Sequence, residues 1–220
     1  MVAGLFVVFE GPDGSGKGTA IGNVERAIRG WNKYQDIVLT REPTYNAREL
    51  IGLLQKQSDP MENARRMTQL FVDDDRRAHY QDEIKPDVER KRVVLCDRFS
   101  MSTLAYQSAQ GQPMDELLET HLKARIGTPD ITFYLALNAE EAIRRIGLRG
   151  EAKEVFEQPD FIRRVVEQHE LVYANSLELG SPTRNLLGRV VKIDASPSPD
   201  EVARQILSEL EPVYRAKNGR

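Results

Sequence analysis

Cysteine is nearly missing from this sequence of 220 residues, which has only Cys96. A single thiol excludes a disulfide framework and a zinc site made of several cysteines. No stretch approaches the roughly 18 apolar residues of a membrane span. Neither charge dominates, since 31 Lys and Arg face 34 Asp and Glu, and this balance disfavours a general nucleic-acid binder. The N-terminal letters MVAGLFVVFEG have no basic segment and no small-residue cleavage site, so we expect a globular protein of the cytoplasm without a membrane or nucleic-acid partner.

The sequence does contain a regular alternation of strand-like and helix-like segments. Five short apolar runs are typical of strands buried on both faces: Leu5–Phe9, Ile37–Thr40, Val93–Cys96, Ile131–Leu137 and Arg189–Ile193. Between them lie stretches of helical period, such as Ile21–Ile28 and Pro199–Leu210. This order predicts an α/β fold with a parallel sheet flanked by helices. No repeat or linker interrupts the chain, so we predict one domain over residues 1–220.

A glycine-rich segment directly follows the first predicted strand and precedes a helical stretch. It fits the pattern G-x-x-x-x-G-K and predicts an ATP-binding loop made of Gly11, Asp13, Gly14, Ser15, Gly16, Lys17, Gly18 and Thr19. Backbone N–H groups of such a loop bind phosphate oxygens, and Lys17 would reach the β- and γ-phosphates. Gly18 stands where many such loops place a Ser or Thr on Mg²⁺, so we expect the metal to be held through water, the phosphates and a remote carboxylate. The loop predicts the three-layer sandwich of P-loop NTPases.

Two charged residues stand at the end of another predicted strand. Asp97 and Arg98 follow Val93–Cys96 directly, and ligands of open α/β sheets bind at the carboxyl ends of strands. Asp97 is therefore placed to hold Mg²⁺ through water, and Arg98 is placed to clamp a phosphate with two hydrogen bonds. An Asp-Arg pair in a surface turn is the alternative.

Further motifs follow the phosphate loop in order along the chain. They are Thr40-Arg41-Glu42-Pro43, Leu70-Phe71 leading to Asp75-Arg76, Cys96-Asp97-Arg98-Phe99, Ser102-Thr103-Leu104-Ala105-Tyr106-Gln107, Pro129-Asp130-Ile131-Thr132-Phe133-Tyr134-Leu135, the basic segment Arg144–Arg149, and Ile193-Asp194-Ala195-Ser196. Together with the phosphate loop they resemble the thymidylate kinase family, whose members phosphorylate dTMP with ATP. The resemblance covers nearly the whole chain.

The resemblance implies an acceptor pocket for dTMP. Its implied residues are Asp13, Glu42, Pro43, Phe71, Arg76, Arg98, Thr103, Tyr106 and Gln107. Among them, Asp13 would face the 3′-hydroxyl of the deoxyribose and Arg98 would grip the acceptor phosphate. Tyr106 would pack where a ribose 2′-hydroxyl would sit, and Thr103 and Gln107 would form hydrogen bonds to the base.

The resemblance also implies a donor site and a mobile lid at about residues 144–159. Arg145, Ala195 and Ser196 would lie near the adenine of ATP. The implied catalytic residues are Lys17, Asp97, Arg98 and Arg149. Since Gly14 stands where one subgroup of the family has an arginine, the lid residue Arg149 has to serve the transferring phosphoryl group. A homodimer is expected from the resemblance alone.

Some positions depart from the family pattern or have two readings. Counting back from Arg76, which would hold the thymine or the phosphate side of the pocket, places Val72 where the family usually has a base-stacking Phe. Either the helix is locally shifted and Phe71 stacks, or Val72 makes a weaker apolar contact. Glu42 orients either an arginine or a water of Mg²⁺. We interpret Arg144 as part of a solvated helix face.

Other activities agree less well with the sequence. The three histidines, His79, His121 and His169, lack the spacing of a metal site, and we expect them at the surface or partly buried. A GTPase would need the motif N-K-x-D, but Asn32-Lys33 is followed by Tyr34-Gln35. A non-catalytic nucleotide-binding protein is disfavoured by the intact Lys17, Asp97, Arg98 and Arg149. The alternative that stays open is a kinase for another nucleotide.

Overall fold

The computed structural model describes residues 4–44, 47, 60–148 and 158–218. Its centre is a parallel sheet of five strands in the order β2-β3-β1-β4-β5. The strand bounds are β1 Leu5–Glu10, β2 Ile37–Arg41, β3 Val93–Asp97, β4 Ile131–Ala136 and β5 Val190–Asp194. The five strands predicted from the sequence are therefore confirmed.

The middle strand explains why its sequence is an unbroken apolar run. β1 lies between β3 and β4, with Val7 aligned to Leu95 on one side and to Ile131 on the other. All six of its residues are buried. Leu5, Val7 and Phe9 belong to one core cluster, and Phe6 and Val8 belong to another. Alternate side chains of β1 thus enter the two separate cores on opposite faces of the sheet.

Helices cover both faces of this sheet. Their bounds are α1 Lys17–Trp31, α2 Pro60–Gln69, α3 Arg77–His79, α4 Lys85–Glu89, α5 Ser100–Ala109, α6 Met114–Ala124, α7 Ala139–Gly147, α8 Pro159–Leu177, α9 Pro182–Leu187 and α10 Pro199–Asn218. Two π-helical segments, Leu70–Arg76 and Tyr80–Ile84, join α2, α3 and α4 into one continuous helical path. The predicted α/β sandwich is confirmed. Within the described ranges, no helix has the length and apolar character needed to cross a membrane.

The carboxyl ends of the parallel strands meet at one edge of the sheet, and the predicted site residues follow them there. The glycine-rich loop follows β1, Glu42 follows β2, Arg98 follows β3, and Ala195 follows β5. The predicted lid, by contrast, is described only at its two ends, because residues 149–157 lie outside the described part of the chain.

Candidate active site

Lys17 begins α1 and is curled back into the glycine-rich loop. Its ammonium group donates hydrogen bonds to the carbonyl oxygens of Gly11 at 3.0 Å and Pro12 at 3.1 Å. The side chain is buried. Burial first, and the charge of Arg98 second, lower the pKa of Lys17 to about 8. At neutral pH the loop therefore keeps a cation at the N-terminus of α1, where a phosphate would bind.

Two glycines of this loop are required by close backbone contacts. A Cβ on Gly11, where φ is 138°, would lie 2.5 Å from the carbonyl oxygen of Leu135. A Cβ on Gly14, where φ is 84°, would lie 3.0 Å from the carbonyl oxygen of Ala142 in α7. An arginine at position 14 would need a strained backbone and a displaced α7. The sequence departure at Gly14 thus matches the packing of α7 against the loop.

Asp13, Arg98 and Tyr106 form a hydrogen-bonded cluster beside the loop. The Arg98 Nη2 group donates to Asp13 Oδ1 at 2.5 Å, and the Tyr106 hydroxyl donates to Asp13 Oδ2 at 2.7 Å. The Arg98 guanidinium also lies over the Tyr106 ring, 5.1 Å from its centroid. Three residues that the sequence assigned to sugar and phosphate recognition are therefore brought together.

The charges within this cluster are mutually stabilising. Burial raises the pKa of the Asp13 carboxyl, but the charges of Arg98 and Lys17 outweigh this effect and hold that pKa well below its usual value. Burial, aided by Asp13, raises the pKa of the Tyr106 hydroxyl. The carboxylate stays ionised and the phenol keeps its proton, so the direction of the hydrogen bond between them is fixed.

Asp97, at the end of β3, has a carboxylate oxygen without a partner. Its Oδ1 atom is buried and has no hydrogen bond within the described part of the chain. The carboxylate is near enough to Lys17 to raise the pKa of that group against the effect of burial. Among the described residues, no three His, Cys, Asp or Glu side chains form a metal site. Asp97 therefore offers one free acceptor, which suits the shell of a hydrated cation.

Arg76 lies at the centre of a buried hydrogen-bond network. Arg76 donates to Glu42 Oε2 at 2.6 Å, to His121 Nε2 at 3.0 Å, and to both the Phe99 carbonyl and Thr103 Oγ1 at 2.9 Å. These bonds use four of the five guanidinium N–H groups. Of the two readings left open for Glu42, the structure supports orientation of an arginine.

The expectation that the histidines lie at the surface or only partly buried is wrong. His79, His121 and His169 are each at most 3% exposed. Their ring nitrogens bond to groups that sequence spacing does not reveal, such as Glu42 for His79 and the Leu117 carbonyl for His121. Burial first, and the Arg76 charge second, lower the pKa of His121 to about 3. The imidazole is thus a neutral acceptor for Arg76.

The helical path that contains Phe71 and Val72 is irregular at these residues. Residues Leu70–Arg76 form π-helical turns, and the Arg77 N–H donates to the Val72 carbonyl, five residues earlier. Phe71 is partly exposed and packs against Met67 and Leu70. Val72 is fully buried, like Arg76 in the same segment. The assignment of Phe71 or Val72 to base stacking stays a prediction.

Thr103 and Gln107 lie one turn apart on α5 and are both buried. The Thr103 oxygen accepts a hydrogen bond from Arg76, and within the described ranges its hydroxyl hydrogen has no acceptor. Gln107 uses its amide N–H₂ on Gln110, at 3.0 Å, and its Oε1 atom has no partner in the described part of the chain. The helix thus offers one donor and one acceptor.

Arg145 of α7 contacts the residues that follow β5. Its guanidinium donates to the carbonyl oxygens of Ala195 at 3.0 Å and Ser196 at 3.1 Å. The three residues predicted to lie near adenine are therefore in contact with one another. Arg144 is exposed and paired with Glu141 at 2.7 Å, as expected for a solvated helix face. Arg149 lies outside the described residues.

The remaining predicted residues lie where the motifs place them. Ser15 is buried within the loop, and its hydroxyl is 3.5 Å from the Lys17 ammonium group. Gly16 precedes α1 with a φ of 85°, and Gly18 and Thr19 lie exposed in the first turn of that helix. Pro43 follows Glu42 through a cis peptide bond.

Sequence reasoning missed Glu10, Ser102 and His121. Glu10 is a fully buried carboxylate that accepts hydrogen bonds from the start of α5. A usable signal was present, because a carboxylate that ends an otherwise apolar strand has to find buried donors. Ser102 carries a weaker signal, and His121 carries none, because its partner lies 45 residues away.

Comparison with known proteins agrees with this geometry. The family model for thymidylate kinase matches residues 9–206. A thymidylate kinase of Desulfovibrio desulfuricans is 36% identical, and the match covers 98% of this chain and 99% of the relative. A probable thymidylate kinase of Pyrobaculum calidifontis is 32% identical over 94% of this chain and 96% of the relative. A thymidylate kinase of Bacillus mycoides is 35% identical, and the match covers 86% of this chain and 96% of the relative. The chain therefore belongs to the thymidylate kinase family.

Proposed function

We infer that the protein transfers the γ-phosphoryl group of ATP to the phosphate of dTMP. The observation that carries this inference is the hydrogen bond between Arg98 and Asp13, at 2.5 Å. It joins the residue proposed to grip the acceptor phosphate to the loop that binds the donor phosphates. Donor and acceptor phosphates repel each other, so a phosphoryl transferase has to bracket them with cations. Lys17 and Arg98 supply two such cations.

Magnesium is part of this proposal. The metal neutralises phosphate charge when it is bound. The unpartnered oxygen of Asp97 would hold it through water, because Gly18 offers no side-chain ligand. We propose the lid arginine, Arg149, as a third cation, since Gly14 leaves the loop without one. A lid closing over both substrates would also exclude water and so prevent hydrolysis of ATP.

The base side favours a pyrimidine with a keto group at position 4. Thymine and uracil present a carbonyl oxygen beside an N–H group. The hydroxyl hydrogen of Thr103 would be donated to that carbonyl oxygen, and the unpartnered Oε1 of Gln107 would accept a hydrogen bond from that N–H group. Cytosine presents an amino group beside an unprotonated nitrogen, which is the opposite order. The ring of Phe71 would stack on the base.

Two further expectations follow from family membership. We propose that the protein works as a homodimer and in the cytoplasm. Equilibrium sedimentation of the purified chain, over a range of concentrations, measures the first directly. A single species at the monomer mass would contradict the dimer.

The function is tested by measuring ADP release with dTMP, dUMP, dCMP, dAMP and dGMP as acceptors. We expect dTMP to be the best acceptor, dUMP to be used, and the other three to be used poorly. A matched control is the Lys17→Ala variant, which keeps the acceptor pocket. Preference for a purine nucleotide or dCMP would favour the alternative, a kinase for another nucleotide.

A further inference from the structure

Glu10 ends β1, directly before the glycine-rich loop, and is fully buried. Its carboxylate accepts three hydrogen bonds from the start of α5. They come from the Phe99 N–H at 2.8 Å, the Ser102 N–H at 3.2 Å and the Ser102 hydroxyl at 2.5 Å. A buried carboxylate needs such donors, and the N-terminus of a helix supplies both them and a favourable dipole.

The Ser102 hydroxyl has a fixed orientation because it has only one hydrogen. That hydrogen is donated to Glu10, so the oxygen can only accept from any other neighbour. The neighbour is Arg98, whose Nη1 group donates to Ser102 Oγ at 3.1 Å. Glu10 therefore acts on Arg98 through Ser102, and we refer to these three residues as the Glu10 relay.

The relay holds one end of the Arg98 guanidinium, while Asp13 holds the other. Nη1 is bound by Ser102, and Nη2 is bound by Asp13. The backbone of Arg98 has a φ of 69°, and its N–H donates to the Phe9 carbonyl at 2.9 Å. The arginine is thus tied to β1 by its main chain and, through the relay, by its side chain. Few freely rotating states are left to the guanidinium.

We propose that Glu10 is a positioning residue for the acceptor phosphate, acting through Ser102 to orient Arg98. This inference rests on the proposed function, since the acceptor phosphate is what Arg98 is proposed to bind. Burial raises the pKa of Glu10 above its usual value, and the Ser102 hydrogen bond and the Arg98 charge oppose this rise. The same two neighbours that Glu10 orients therefore favour its charged form.

The decisive variant is Glu10→Gln, which keeps the volume of the side chain. Its amide group faces Ser102 with a hydrogen where the carboxylate has a lone pair, so the Ser102 hydrogen loses its acceptor and Arg98 loses a nearby charge. We expect the KM for dTMP to rise about ten-fold, as for one lost charge-assisted hydrogen bond. The KM for ATP should change by less than about two-fold, because Lys17 keeps its contacts.

Ser102→Ala and the double variant show whether the two residues act as one unit. Each single variant should raise the KM for dTMP, and the double variant should raise it by less than the product of the two effects. Ser176→Ala is a matched control, because it removes another buried serine hydroxyl, bonded to the Tyr173 carbonyl at 2.6 Å and outside the site. It should lower thermal stability without a change in either KM.

Two results would overturn the relay. One is an equal rise of the KM for dTMP and the KM for ATP in Glu10→Gln. The other is a double variant whose KM for dTMP rises by the full product of the two single-variant effects. A nucleotide-free measurement separates the relay from the proposed function. The NMR signal of the Ser102 hydroxyl proton, assigned by its loss in Ser102→Ala, should shift in Glu10→Gln. An unshifted signal contradicts the relay even if dTMP is a substrate, whereas a shift supports it even if dTMP is not.

Discussion

Phe71 is partly exposed, whereas the adjacent Val72 is fully buried. Both lie in the π-helical segment Leu70–Arg76. Phe71 packs against Ala47, Met67 and Leu70, while Val72 enters the protein interior. Because only Phe71 keeps an exposed surface, we propose Phe71 as the residue that stacks on the acceptor base.

Replacing Phe71 and Val72 separately tests which of the two side chains stacks on the base. Phe71→Ala should raise the KM for dTMP about ten-fold, because base stacking contributes about 1–3 kcal/mol. Its thermal stability should change little, since the ring is partly exposed. Val72→Ala should lower the free energy of unfolding by about 1–3 kcal/mol through a cavity, with a small effect on KM. If Val72→Ala alone impaired dTMP binding, the stacking residue would be Val72.

Loss of the Lys17 ammonium group should nearly abolish activity. We expect Lys17→Ala to lower kcat by at least about 10²–10³-fold, because the cation stabilises charge that develops during transfer. Circular dichroism should show a folded protein, since the contacts of Lys17 are local carbonyl oxygens. Turnover at the wild-type rate would contradict the assignment of the phosphate loop.

Prediction of the fold from the sequence succeeded where local patterns decide the outcome. The local sequence alone is enough to predict the strand β1 and the loop from Gly11 to Lys17. The buried partners of Arg76 were not predictable, because Glu42 and His121 lie 34 and 45 residues away in the chain. Spacing also could not decide between Phe71 and Val72. That choice depends on which of the two side chains tertiary packing leaves exposed.

Acid should destabilise the protein through its buried histidines. Burial first, and then the charges of Arg98 and Lys17, lower the pKa of His169 to about 3, while its Nδ1–H bonds to the Val165 carbonyl at 2.8 Å. Below the unfolded pKa of about 6.5, the unfolded chain binds the extra proton, so stability falls as the pH falls from 6.5 towards 3.

The test compares wild type with His169→Phe in urea unfolding between pH 6 and pH 4. The free energy of unfolding should depend on pH less steeply in the variant than in wild type. The difference in slope should reach up to about 1.4 kcal/mol per pH unit, because one titrating group is removed. The stability of the variant relative to wild type should therefore increase as the pH falls from 6 to 4. Parallel curves over this range would show that His169 is protonated in the folded protein.

The proposed role of Arg149 is tested against Arg144, another arginine of the same basic segment. Arg149→Ala should lower kcat far more than it raises either KM, because the proposed interaction exists only in the transition state. Arg144→Ala is the control, since Arg144 is exposed and paired with Glu141, and it should leave kcat unchanged. A normal kcat in Arg149→Ala, with only a raised KM, would remove Arg149 from the transition state.

The most direct measurement of the whole account is kcat/KM for dUMP against UMP in the wild-type protein. If the Tyr106 ring packs at C2′, a ribose hydroxyl there either clashes or loses its hydrogen bonds. That loss predicts a preference for dUMP of about ten- to hundred-fold. Tyr106→Phe keeps the ring and should keep the preference, whereas Tyr106→Ala should narrow it by weakening dUMP more than UMP. Equal values for dUMP and UMP in the wild-type protein would contradict a deoxynucleotide site between Asp13, Arg98 and Tyr106.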